Sequence, residues 1–265
     1  AGALAWAGLQ SAPPSVFNVQ IGPHRRFAWV QGDLNEFKAI KNSLGGTVND
    51  VVLAVVAGAL GRFMRIRGEE TEGVVLRAMV PVSVRADVER GALGNKVAAM
   101  WAPLPVGITD PVERLREIST VMSELKESGQ AVGAQVLTAL SDFAPPTIIS
   151  QAARLQSSQR MFNLVVTNVP GPQLPLYMLG RELQAIYPMV PLAKNTALGI
   201  AIMSYNGQLN FGLSADYDAM PDLNIVGDEL AASFEELQAA ARSPLLRRRG
   251  RGRPQTRADA MRATR

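Results

Sequence analysis

TVNDVVLAVVAGAL (Thr47–Leu60) opens with a helix-capping residue and then runs on with no polar face. A Thr47 hydroxyl can accept a hydrogen bond from the first turn, and Asp50 places a carboxylate where the helix dipole favours negative charge. The helical pattern continues to about Arg67, and Gly68 stops it. Val51, Val52, Leu53, Val55 and Val56 leave no side for water, so the helix is expected to be well buried. Just upstream, Asp33 and Glu36 open a second helix that Gly45-Gly46 ends, and Arg26–Gln31 before it reads as a strand.

Downstream, 74–84 and 96–104 read as strands rich in Val, Met and Trp. Asp110-Pro111-Val112-Glu113 starts a helix running to about Ser128, with cap, N1 proline and N3 acid in order. Helices near 131–143 and 147–157 follow, then a strand over Phe162–Asn168. Ala197–Tyr205 and Gln208–Ala215 flank Asn206-Gly207, the clearest two-residue hairpin signal in the chain, and Asp222–Arg242 closes as a helix. This order is α+β. The simplest solution is a mixed β-sheet with helices packed on one face. Residues 1–23, rich in Ala, Gly and Pro, read as a connector cut in mid-chain. Residues 24–243 read as one domain and 244–265 as a basic, disordered tail.

The formal charge of +4 hides a division. Residues 244–265 carry eight Arg against one Asp, whereas the rest carries 19 Lys+Arg against 22 Asp+Glu, a net of −3. The body is therefore mildly acidic and the basic character belongs to the tail. No run of 18 apolar residues lacks a charge, so no transmembrane helix is expected. The absence of cysteine excludes disulfides and thiolate chemistry, and a single histidine argues against zinc.

Several motifs admit both a structural and a chemical role. Asn49-Asp50 can cap its helix, or can line a site. Asn168-Val169-Pro170-Gly171-Pro172 ends a strand in a rigid turn, a structural role for Pro170, Gly171 and Pro172, with Asn168 free to make a contact. Ser83 and Arg85 lie at a strand exit in VPVSVR. A serine triad is excluded there because the only histidine is remote, and Arg85 is read as an ion-pair partner or as an anion ligand. Asp216, Asp218 and Asp222 lack the glycine and glutamate of a calcium loop, leaving a turn and a helix cap. RGRP (Arg251–Pro254) is a single minor-groove-type core. A solubilising tail or contact with anionic lipid headgroups is favoured over nucleic acid.

Taken in order, TVNDVVLAVVAGAL, VPVSVR (Val80–Arg85), LGNKV (Leu93–Val97), VVTNVPGP (Val165–Pro172) and LSADYDAMPDL (Leu213–Leu223), with IGPHRR ahead of them, resemble the C-terminal half of the bacterial wax ester synthase/diacylglycerol acyltransferase family. The resemblance implies a chloramphenicol acetyltransferase-like domain. It also implies transfer of an acyl group from CoA to an alcohol or diacylglycerol, with no cofactor and acyl-CoA as substrate. The family's base lies in an HHxxxDG motif of the other half. That motif cannot be here, since His24 is followed by Arg25-Arg26. The resemblance places Asn49, Asp50 and Asn168 near the reacting centre and would give Arg85 the CoA phosphates. The implied partners are long-chain acyl-CoA, diacylglycerol or fatty alcohol, and a missing N-terminal catalytic half. The expected location is cytoplasmic, with peripheral contact to a membrane or lipid droplet. The alternative is a non-catalytic lipid-binding or scaffold module from a truncated or split enzyme.

Overall fold

In a computed structural model the described residues are 11–83, 97–127 and 161–243. Arg85, the loop around it, the helices expected at 131–143 and 147–157, and the arginine-rich tail lie outside them. The elements run β1 (Arg25–Asp33), α1 (Leu34–Leu44), α2 (Val48–Ile66), β2 (Leu76–Ser83), β3 (Val97–Leu104), α3 (Pro111–Glu127), β4 (Leu164–Val169), β5 (Tyr177–Met178), β6 (Arg181–Glu182), β7 (Leu198–Tyr205), β8 (Gln208–Asp216) and α4 (Leu223–Arg242).

Six strands form one sheet in the order β1-β8-β7-β4-β2-β3. β4 is parallel to both β7 and β2, and the remaining pairs are antiparallel, so the sheet is mixed. The β7–β8 hairpin turns on Asn206 (φ 45°) and Gly207 (φ 81°), both left-handed, as a two-residue turn between twisted strands requires. Local chemistry also fixes the helix starts. The Asp33 carboxylate accepts from Asn35 N at 2.7 Å, and Asp110 Oδ1 accepts from Val112 N and Glu113 N at 2.9 and 2.7 Å. Asp222 departs from this pattern. It occupies the N-cap of α4 but makes no capping bond, because its carboxylate is drawn to Arg67 Nε at 3.0 Å. That hydrogen bond to the guanidinium holds its pKa below the usual carboxylate value.

α2 lies at the centre of the helical layer, against α1, α3 and α4, with 14 of its 19 residues buried. Its apolar circumference is thus used on every side. Phe37 of α1, Phe211 of β8 and Phe234 of α4 join this layer to the sheet. The opposite sheet face is crossed by irregular chain. Pro188 O passes over Gly212, and Val190 Cγ1 comes within 2.7 Å of where a Gly199 Cβ would stand. Residues 11–23 are irregular in backbone but packed, with Phe17 fully buried and stacked on Phe63 at 6.0 Å. Buried Asn163 ties them down by donating to Pro13 O (2.8 Å) while accepting from Arg77 N (2.7 Å). Among the described residues no single helix is long and apolar enough to cross a membrane.

Candidate functional site

The site is built from two element ends. Thr47 and Asp50 close a reciprocal capping box at the start of α2. Thr47 N donates to Asp50 Oδ2 at 2.8 Å, and Asp50 N donates to Thr47 Oγ1 at 3.2 Å. Asp50 is buried, and its other oxygen, Oδ1, has no hydrogen-bond partner. Gly46 (φ 78°) admits this arrangement. A Cβ there would stand 3.1 Å from Ser119 Oγ and 3.2 Å from Asp50 Oδ2.

Asn49, half-buried beside this box, meets the C-terminal end of β4. Asn168 Nδ2 donates to Asn49 Oδ1 at 3.3 Å, across 119 residues of sequence. Asn168 pairs with Ile202 in the parallel register, so it shares the helix-facing side of the sheet with a core residue. Val169, exposed, is the last residue of β4, and the backbone leaves the sheet after it.

The NVPGP turn is locked to the neighbouring hairpin. Gly171 N donates to Ser204 Oγ at 3.1 Å, and Asn206 N donates to Pro172 O at 3.0 Å. A Cβ on Gly171 would strike Ser204 O, so only glycine lets the turn press against β7. Pro170 and Pro172 are exposed. Gln173, which no sequence pattern singled out, completes the lock by donating to Ser204 Oγ and accepting from Gly207 N, at 3.0 and 3.1 Å.

His24 is elsewhere. It is exposed, edge-on to Tyr217 at 6.5 Å, and next to Arg25, which pairs with Asp216 at the far end of β8. The row containing Asn168 reaches β1 at Val30, six residues from His24, a distance of about 20 Å along the strand. Asp216 is a structural anchor. Burial pushes its pKa up, but bonds from Ala219, Gly22 and Asp218 N, with the nearby Arg25 charge, outweigh this and leave it lowered.

Two amides beside a helix N-terminus can orient a hydroxyl or a carbonyl. They cannot take a proton at neutral pH, and Asp50 is committed to the capping box. Among the described residues no three His, Cys, Asp or Glu side chains are grouped to hold a metal ion. The edge is also apolar in its continuation. Leu174, Tyr177, Met178 and Leu179 are all exposed beyond the turn.

Comparison with known proteins bears on this arrangement. The family model for the WS/DGAT C-terminal domain matches residues 93–238, which include Asn168. The model for the wax ester synthase/diacylglycerol acyltransferase catalytic domain matches residues 4–52, which include Asn49 and Asp50. A Mycobacterium tuberculosis H37Rv protein named as a diacylglycerol O-acyltransferase is 36% identical over 232 residues, covering 86% of this chain and 46% of the relative. A Mycobacterium bovis relative of the same designation is 35% identical, covering 87% and 51%. The wax ester synthase/diacylglycerol acyltransferase of Marinobacter aquaeolei VT8 superposes with a TM-score of 0.70 at 30% identity, over 87% of this chain and 52% of that one. The starter condensation domain of rhizomide synthetase matches in fold alone, with a TM-score of 0.52 at 16% identity. The chain spans about half the length of the curated relatives it matches.

Proposed function

The chain belongs to the wax ester synthase/diacylglycerol acyltransferase family, and from that premise we propose that it forms the C-terminal, substrate-facing half of an acyl-CoA-dependent O-acyltransferase. The observation that carries this reading is the Asn168–Asn49 contact, which joins a residue from each of the two family-model matches. The acceptor is an alcohol or diacylglycerol, and the product a wax ester or triacylglycerol.

In the proposed reaction a histidine base from the other half takes the acceptor hydroxyl proton. The resulting alkoxide attacks the thioester carbonyl, the C–S bond breaks, and the CoA thiolate leaves with a proton returned by that base. This chain's part is to position. Asn168 and Asn49 hydrogen-bond the acceptor oxygen or the thioester carbonyl, and the capping box fixes Asn49 on the first turn of a buried helix. Acyl-CoA is a substrate, and no prosthetic group enters the scheme. In the cell the protein is proposed to work from the cytoplasm at a membrane or lipid-droplet surface, with the arginine-rich tail meeting anionic headgroups.

A hybrid tests this reading. The part of the Marinobacter enzyme not matched by this chain is fused ahead of it, and CoA release is followed with palmitoyl-CoA and hexadecanol or dipalmitoylglycerol. The hybrid turns over, and Asn168→Ala and Asn49→Ala each lower kcat about tenfold or more, equivalent to about 1.4 kcal/mol at the transition state, with Tm little changed. Full turnover in both variants refutes the assignment.

A further inference from the structure

α1 and α4 do not close fully against each other. Beside the edge strand β1, three strands from β4, they leave a cleft of about 220 Å³ floored by Leu230, Phe37, Phe211 and Phe234. Glu36, Glu235 and Gln238 stand around it. It continues along α4 past Gln238, over Ile40 and Ser43, to Ala241 and Arg242. Ser43 Oγ donates to Ala241 O at 2.9 Å and fixes that end. Small-molecule sites enclose about 300–1,000 Å³, so a cleft of this size suits the side chains of a peptide segment better than a free ligand.

The carboxylates of the cleft are lightly used. Glu36 has one ion pair, with the mostly exposed Arg242 at 3.5 Å. Glu235 is exposed and has no ion-pair partner among the described residues, whereas its neighbour Glu236 pairs with Arg62 and Arg114. Of the chain outside the described residues, only 244–265 begins at this cleft. Residues 84–96 join β2 to β3 at the opposite edge of the sheet, and 128–160 join α3 to the strand β4. Residues 1–10 lead toward Pro13, which Asn163 holds at the start of β4. Ser243, by contrast, follows Arg242 directly, and its extended backbone (φ −63°, ψ 127°) turns the chain off α4, as the residue before a proline requires. Next come Pro244, Leu245 and Leu246, then Arg247, Arg248 and Arg249. The α4 wall of the cleft, from Arg242 back to Leu230, is about 18 Å long. Six extended residues at about 3.3 Å each match that length.

We infer that the segment Pro244–Arg249 folds back along α4 and occupies this cleft in cis. Leu245 and Leu246 bury against the phenylalanine floor, and the three arginines pair with Glu36 and Glu235. Eight Arg against one Asp after residue 243, facing a body of net −3, favour the return. The headgroup contact proposed above draws on the same arginines, so anionic lipid competes with the cleft for them. The inference does not depend on the two-half reading.

The chain has no cysteine, so an introduced pair reports without background. In the 265-residue chain Gly250→Cys is combined either with Ala231→Cys, exposed on the cleft, or with Ser123→Cys, exposed on α3. Disulfide formation under mild oxidation is followed by non-reducing electrophoresis and peptide mapping. The Ala231 pair is expected to close about tenfold faster than the Ser123 pair. Salt at about 1 M, Glu36→Gln with Glu235→Gln, and Leu245→Ser with Leu246→Ser each slow it at least threefold, with Tm little changed. Phosphatidylglycerol vesicles slow it, and phosphatidylcholine vesicles do not. Equal rates for the two pairs overturn the docking. A fast Ala231 pair indifferent to salt and to both sets of substitutions is mere proximity, and overturns it too. Disulfide-linked dimers in place of a closed single chain overturn the docking in cis. A rate untouched by phosphatidylglycerol overturns the competition and leaves the cleft docking standing. None of these readouts uses acyl transfer, so their failure leaves the two-half reading as it was.

Discussion

Gly58→Ala in the middle of α2 is expected to destabilise the protein, although the same change stabilises most helices. Alanine is favoured over glycine by about 0.5–1 kcal/mol in a helix interior. Here the new methyl would stand 2.5 Å from Arg114 Nη2 and 2.7 Å from its Cζ, and closer still to Ser233 Oγ. Arg114 cannot yield without loss. Its guanidinium is buried and donates to Ala54 O at 3.0 Å, Ile108 O at 2.8 Å and Thr109 O at 3.2 Å. Burial already lowers its pKa, with Glu236 opposing, so further displacement adds to a standing desolvation cost. Overpacking costs about 1–3 kcal/mol, and losing one bond to a charged donor costs about 1.5–3 kcal/mol. Against the propensity gain, the net loss is roughly 2–5 kcal/mol. Urea unfolding followed by circular dichroism measures it as a lower midpoint at unchanged slope. An alanine variant as stable as the parent, or more so, would refute the view that α2 is spaced from α3 and α4 by this buried arginine.

Other consequences follow from named contacts. Thr47→Ala removes one arm of the capping box and is expected to cost about 1 kcal/mol, read as a Tm lower by about 2–4 °C. Asp216→Asn keeps one acceptor oxygen but turns an amide N–H₂ toward backbone donors, and is expected to cost about 2 kcal/mol at pH 7. Because the folded pKa of Asp216 is lowered, its contribution is complete above the unfolded value near ~3.9 and is lost as pH falls through the folded value. The gap between parent and variant in urea unfolding should therefore shrink in acid, and a gap independent of pH would count against this. Tyr205→Phe should speed hydrogen exchange at the Leu176 amide, which donates to the missing hydroxyl, while amides paired in β7 and β8 stay protected.

What the sequence disclosed depended on how local the chemistry was. The Asn206-Gly207 hairpin and the Thr47–Asp50 box each need only neighbours within four residues, and both are visible as residue pairs. Asp222 shows the limit of such reasoning. Its capping position was legible, but Arg67, 155 residues away, takes the carboxylate. The chain crossing the outer face carries no periodicity, and the turn before it is held by Gln173 and Ser204, residues that mark no motif. A signal did exist in Gly199 and Gly212, glycines inside otherwise apolar strands, where another backbone approaches closely. Asn49 and Asn168 stood out through family resemblance. Their mutual contact needed the register that sets the end of β4 against the start of α2.

The central claim is that this chain holds and orients substrate while the proton acceptor belongs to another half. His24, exposed and about 20 Å along the sheet from the asparagine row, has no place in that chemistry. The most direct measurement is free CoA release by the 265-residue chain alone, with palmitoyl-CoA and either hexadecanol or dipalmitoylglycerol. The account predicts the no-enzyme rate. Turnover above that rate which survives His24→Ala would contradict it.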